Sequence, residues 1–301
     1  MEKVIAIIGP TGVGKTKLSI ELAKRYNTEI ISGDSIQVYR QLNIGSAKVT
    51  EDEKEGIPHH LIDILDITEN YSVYDFQKEG REIIKKLSSA GKLPIICGGT
   101  GLYIKSLLYD YEFKEEAEFD TSIYDKYTNE ELYERLKQVD PKSCEKIHVN
   151  NRRRVIRCLA IYDNTATKKS EIIDSQEHKL LYDVFLIGLT CDRKIVYDRI
   201  NQRVDVMIEN GLLDEIKGLL SYDDLFNLQG LRGIGYKEFE PYFTGSATLD
   251  ECIENVKKHS RQFAKRQYTW FNNQMDVRWY DIQEENYLES LFSDLDKWLE
   301  E

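Results

Sequence analysis

The octet Gly9-Pro10-Thr11-Gly12-Val13-Gly14-Lys15-Thr16 satisfies the phosphate-loop pattern G-x-x-x-x-G-K-[ST] at every constrained position. That pattern works only between a strand and a helix, which leaves few folds open. Val4 to Ile8 is an unbroken apolar run suited to a strand covered on both faces, and Lys15 to Tyr26 has the spacing of a helix. The glycines let the backbone curl so that successive N–H groups converge on phosphate oxygens, and the helix start adds roughly half a positive charge. Lys15 adds a full charge, and Thr16 can offer its hydroxyl to a Mg²⁺ ion that bridges phosphate oxygens. The octet implies a phosphorylated ligand. It leaves open whether that ligand is a nucleotide such as ATP or another pyrophosphate.

Short apolar runs at Glu29–Ile31, Leu93–Cys97 and Asp183–Leu189 read as further strands, with helical stretches between them, including one capped by Ser72 and running to Leu87. The repeated strand–helix order predicts a P-loop NTPase-like, doubly wound parallel sheet. Residues 113–170 break that order, being charged, tyrosine-rich and helical in pattern. They are expected to form a small helical insertion domain in a core made of residues 1–112 and 171–301. The chain has 301 residues, 41% of them hydrophobic and 31% charged, enough to bury a large core and a smaller one. The apolar run at Val4–Ile8 is too short to be a signal peptide or membrane span, so a cytoplasmic protein with no membrane partner is expected. The five cysteines, with no C-x-x-C pair, are expected to be reduced and structural.

A net charge of -12 argues against indiscriminate nucleic-acid binding, but two basic segments run against the average. In Arg152–Tyr162, Val155, Leu159 and Tyr162 make an apolar stripe, while Arg153 and Arg157 lie one turn apart on the other side. Farther on, Lys257, Arg261 and Lys265 recur every fourth residue, with Phe263 and Trp270 on another face, a pattern suited to a nucleic-acid backbone with nearby bases. Asp34, after the second strand, would project into the crevice beside the phosphate loop as a general base or metal partner, or else would cap its own turn. Gly98-Gly99-Thr100-Gly101 is a second glycine turn at the same sheet edge. The strand before it lacks the terminal acid with which typical P-loop NTPases hold Mg²⁺, which counts against ATP hydrolysis. His59 and His60 are adjacent, point apart and fit positioning or core roles better than metal binding.

Taken together, these segments resemble the tRNA dimethylallyltransferase (tRNA isopentenyltransferase) family, bacterial type. The resemblance is carried by Gly9–Thr16, Asp34–Tyr39, Gly45–Lys48, Pro58–Asp63, Gly98–Tyr103, Asn151–Arg157, Asp192-Arg193, Arg199–Met207, Gly233–Glu238 and Lys265–Phe271. It implies transfer of a dimethylallyl group from dimethylallyl diphosphate to N6 of the adenosine 3′-adjacent to the anticodon, in tRNAs that read U-initial codons. Mg²⁺ would be the cofactor and the enzyme would act as a monomer. The resemblance makes Asp34 the base and gives Thr100 an orienting role. Lys15, the loop from Gly9 through Pro10, Thr11, Gly12, Val13 and Gly14 to Thr16, and Arg232 would stabilise the departing diphosphate. Asp34, Ser35, Ile36 and Gln37 would contact the extruded base. Arg153, Arg154, Val155, Ile156 and Arg157, with Lys257, Arg261 and Lys265, would hold the anticodon stem-loop. Glu115–Gln138 is short beside the family's usual insertion, so no tRNA contact is assigned there. The resemblance is to the bacterial type, so the zinc-finger extension of eukaryotic relatives is not expected. Two rival readings remain: a P-loop small-molecule kinase using ATP, and a non-catalytic RNA-binding module.

Overall fold

The computed structural model describes residues 1–111, 113 and 120–301. The start of the Glu115–Gln138 stretch, and residue 112 at the expected domain boundary, lie outside the described residues. Contacts divide the chain into two units: residues 1–109 with 180–301, and residues 110–179.

The larger unit is built on six parallel strands among the described residues: β1 (Lys3–Ile8), β2 (Ile30–Ser32), β3 (His59–His60), β4 (Ile95–Cys97), β5 (Asp183–Thr190) and β6 (Arg278–Asp281). Their order across the sheet is β3-β2-β4-β1-β5-β6. In β1 the side chains alternate between two cores: Val4, Ala6 and Ile8 face one, Ile5 and Ile7 the other. This accounts for the continuous apolar run, because neither face of the strand meets water. On the first face lie helix Val73–Ser89, through Phe76, Ile84 and Leu87, and helix Leu249–Gln274, through Val256 and Phe271. On the second lie helix Lys15–Arg25, through Leu18 and Leu22, and helix Tyr287–Glu300, through Leu291, Leu295 and Trp298. Ser72 caps its helix as expected, in a reciprocal capping box with Asp75. The doubly wound parallel sheet expected from the sequence is the fold observed.

Two edge strands escaped the sequence reading. β3 has two residues and β6 four, too short to show a period of their own. They exist because β2 and β5 each offer a free edge: Ile30 and Ile31 pair with His59 and His60, and Ile187 to Thr190 with Arg278 to Asp281.

The unit of residues 110–179 has its own apolar core of Tyr124, Leu132, Leu136, Val155, Cys158 and Leu159. Buried Asp140 ties it together. Its carboxylate accepts hydrogen bonds from the backbone and hydroxyl groups of both Ser143 and Ser170, which hold its pKa below the usual carboxylate range against the opposing effect of burial.

Candidate active site

Parallel strands end at one edge of the sheet, so the loops that follow β1, β2 and β4 converge there. They line a cleft of about 120 Å³, together with residues from helices Arg193–Glu209 and Leu249–Gln274. In the phosphate loop Gly14 adopts a φ of 103°, and no side chain caps the helix it starts. The first-turn amides of that helix are therefore left for a ligand. The Lys15 ammonium donates to the carbonyls of Gly9 (3.0 Å) and Pro10 (2.8 Å). Burial pulls its pKa down to about 8; Cys97 and Asp34 work against that shift and Arg203 reinforces it.

Asp34 fits both sequence readings at once. Its Oδ1 accepts N–H bonds from Ile36 (2.8 Å) and Gln37 (3.3 Å), closing a local turn, while the carboxylate lines the cleft near the charges of Lys15 and Arg203. Gln37 also lines the cleft and donates from its side-chain amide to the carbonyls of Ser46 and Ala47, each at 3.3 Å. Ser35 and Ile36 are half-buried beside it.

Arg203 was missed as a site residue, although it falls within a stretch that carries the family resemblance. Its guanidinium donates to Thr11 Oγ1 (3.0 Å) and to the Ala47 carbonyl (3.3 Å), and it lines the cleft. Burial lowers its pKa, opposed by the Asp34 and Glu53 carboxylates. Arg232, the residue expected to face the diphosphate, is exposed on a 3₁₀ turn and does not line the cleft. The difference is one of direction: the Arg193–Glu209 helix aims Arg203 across the phosphate loop, whereas the turn at Gly230–Arg232 leaves Arg232 in solvent. Thr100 is likewise not part of the lining. Its N–H donates to Gly33 (3.3 Å) at the start of helix Gly101–Leu108, next to Gly98 and Gly99, which do line it.

Lys257, Arg261 and Lys265 do not form a uniform basic row. The Lys257 ammonium pairs with Asp205 (2.7 Å) and Glu254 (3.3 Å), and its pKa is raised chiefly by Asp205. Arg261 donates to Asn201 Oδ1 (2.5 Å), while Lys265 is exposed. The aromatics of this helix turn inward: Phe263 lines the cleft and Trp270 packs over Gly101. In the unit of residues 110–179, helix Arg152–Thr165 exposes Arg153, Arg154 and Arg157. Val155, expected among the tRNA-contacting residues, instead fills that unit's core at 1% exposure, and Ile156 is half-buried against it.

His60 bonds Glu29 (2.6 Å), and His59 bonds the Ile57 carbonyl (2.8 Å) at the cleft wall, with its pKa lowered by burial. All five cysteines are free thiols; Cys97 lines the cleft, where burial raises its pKa. Among the described residues, no helix is long and apolar enough to cross a membrane.

Sheet, loop and cleft together define an enzyme of the P-loop α/β class, with a carboxylate and two cations converging on the loop. The family described as IPP transferase matches residues 37–274, and the chain belongs to that family, the tRNA dimethylallyltransferases. It is 51% identical over 301 residues to the tRNA dimethylallyltransferase of Anoxybacillus flavithermus, covering 99% of this chain and 96% of that protein. It is 53% identical over 288 residues to that of Bacillus cytotoxicus, covering 93% and 90%. Among solved structures it is similar to the full-length tRNA isopentenylpyrophosphate transferase of Bacillus halodurans, with a TM-score of 0.76, 41% identity and coverage of 100% and 97%. It is also similar to a eukaryotic dimethylallyltransferase captured acting on tRNA, with a TM-score of 0.82, 34% identity and coverage of 95% of this chain and 76% of that one. The resemblance drawn from the motifs is borne out, and the kinase reading is not favoured.

Proposed function

We propose that the cleft transfers the dimethylallyl group of dimethylallyl diphosphate to N6 of the adenosine 3′-adjacent to the anticodon, in tRNAs reading U-initial codons. The observation that carries this reading is the convergence of Asp34, Lys15 and Arg203 on one phosphate loop. The exocyclic amine of a purine is a weak nucleophile, because its lone pair is conjugated with the ring. As N6 forms its bond to C1 of the donor, the C1–O bond to diphosphate breaks and an N6 proton passes to the Asp34 carboxylate. A positioned base is worth about 10²–10⁴ in rate. The leaving diphosphate gathers charge against Lys15, the loop amides and Arg203, fixed donors that need no reorganisation. The target base sits in a stacked loop and must be turned outward to reach Asp34. Ser35, Ile36 and Gln37 would then border it, and Thr100, which follows the lining residues Gly98 and Gly99, would orient the reacting groups only through that turn.

The metal fits this donor set. No group of three or more His, Cys, Asp or Glu suited to an ion exists among the described residues. An ion here would be held by the Thr16 hydroxyl, water and the ligand's own phosphate oxygens. Mg²⁺ suits such a shell because it keeps several waters, and when bound it neutralises diphosphate charge. Exposed Arg153, Arg154 and Arg157, with Arg261 and Lys265, would hold the anticodon stem-loop backbone. The enzyme would act as a cytoplasmic monomer, where unmodified tRNA is found.

The test is incubation of the purified protein with Mg²⁺, unmodified tRNA and labelled dimethylallyl diphosphate. Label should appear in the adenosine beside the anticodon. Asp34→Asn should keep tRNA affinity and lower turnover about 10²-fold or more. Absence of label from a folded, tRNA-binding preparation would sink the reading.

A further inference from the structure

Gln267 sits on helix Leu249–Gln274 at 5% exposure and uses both ends of its amide between two loops of the cleft. Its Oε1 accepts the N–H of Thr11 at 3.0 Å, and its Nε2 donates to the carbonyl of Gly99 at 2.9 Å. One partner is a donor and the other an acceptor, so the amide can face only one way. Thr11 belongs to the phosphate loop after β1 and Gly99 to the turn after β4, so one planar group sets the distance between them. Gly99 is what admits it: a Cβ there would stand 2.3 Å from Nε2. The link continues beyond Thr11, whose hydroxyl accepts from Arg203, and Arg203 reaches the Ala47 carbonyl.

Few other side chains could do this. A carboxylate at 267 would meet Thr11 correctly but would turn a second acceptor toward the Gly99 carbonyl and set a negative charge beside the diphosphate cradle. An alkyl chain would leave the part-buried Thr11 N–H and Gly99 carbonyl without this partner.

We propose that Gln267 is a positioning residue. It holds the phosphate loop in register with the Gly98–Thr100 turn, so that the diphosphate and the Asp34 carboxylate keep a fixed separation across the cleft. Although it lines the cleft, both ends of its amide are engaged by the two loops, and it acts through them. The inference rests on the proposed reading of the loop as the donor site. A displacement of about 1 Å at such a site costs on the order of 10² in rate.

The test compares Gln267→Leu, Gln267→Glu and Gly99→Ala with the parent protein. Gly99→Ala leaves the glutamine in place and displaces its amide. Three quantities are measured per folded molecule: kcat, KM for tRNA, and the affinity for inorganic pyrophosphate in Mg²⁺ by calorimetry. All three variants should lose about 10² in kcat with KM for tRNA within about twofold of the parent. Gln267→Glu should bind pyrophosphate more weakly than Gln267→Leu does. Parental kcat in folded Gln267→Leu and Gly99→Ala overturns the inference, as does a fall in melting temperature with kcat unchanged. If Gln267→Leu does not fold, Gly99→Ala decides alone. A parent that turns over but does not bind pyrophosphate would remove the donor-site reading itself, and this inference with it.

Discussion

Lys15 carries its charge with difficulty. With a pKa near 8 instead of the ordinary 10.5, the folded state binds fewer protons than the unfolded chain between those values. The burial penalty is therefore in full force below pH 8, and the protein without ligand gains stability from this residue as pH rises from about 8 to 10.5. Ligand binding should run the other way, because only the ammonium form attracts diphosphate. Pyrophosphate affinity should fall through pH 8 and approach a tenfold loss per unit above it. Calorimetry from pH 7 to 10 would check this, and Lys15→Met should abolish the inflection. Arg203 supplies a second residue-scale prediction. Arg203→Ala should lower kcat/KM for the donor about 10²–10³-fold, while Arg232→Ala should leave the donor KM unchanged; the reverse pattern in steady-state kinetics would restore Arg232 to the role that the resemblance gave it. The sequence could identify Lys15 because its partners lie within six residues of it. Arg203 and Gln267 meet the loop at Thr11 from 192 and 256 residues away in the chain. No local spacing carries that information.

Among the elements, the loop of residues 43–48 shows how a cleft wall with little regular structure is kept in place. The Glu215 carboxylate accepts the N–H groups of Asn43, Ile44 and Gly45 as well as the Tyr236 hydroxyl. Tyr236 in turn is fully buried and accepts the Ser46 N–H. Ser46 and Ala47 then line the cleft. Glu215→Ala would strand three amides and should cost about 2–4 kcal/mol, read by urea unfolding, with a raised donor KM in the molecules that remain folded. A variant with the parental KM would show that the loop holds its shape without this anchor. The segments Gly45–Lys48 and Gly233–Glu238 stood out in the sequence as parts of the resemblance, but nothing in either announced that they touch. β1, its loop and the following helix were legible because apolar period, glycine spacing and helix start agree within 20 residues. β3 and β6 were not, because an edge strand takes its existence from its neighbour.

Across the whole molecule the charge balance decides how nucleic acid is approached. An acidic surface repels RNA at long range, so affinity has to come from a few exposed cations. Replacing both Arg153 and Arg157 by Ala should weaken tRNA binding and reduce the slope of log affinity against log salt by about 2, as filter binding would reveal. An unchanged slope would mean that these arginines contact no phosphate. The interruption of the strand–helix order near residue 113 was visible in composition, and the structure closes a separate unit from 110 to 179. Its helical period set Val155 and Leu159 on the apolar stripe, and both pack in that unit's core, whereas the resemblance had put Val155 among the tRNA contacts.

The cleft is assembled from residues that run from Thr11 to Gln267, and the last of them lies on a helix that ends only at Gln274. During synthesis, a ribosome must therefore deliver nearly the whole core before the first product can be made. A message that is cut short, or a chain abandoned partway, yields a fragment that still carries an intact phosphate loop but has no staple to hold it. Such fragments would be inert as enzymes.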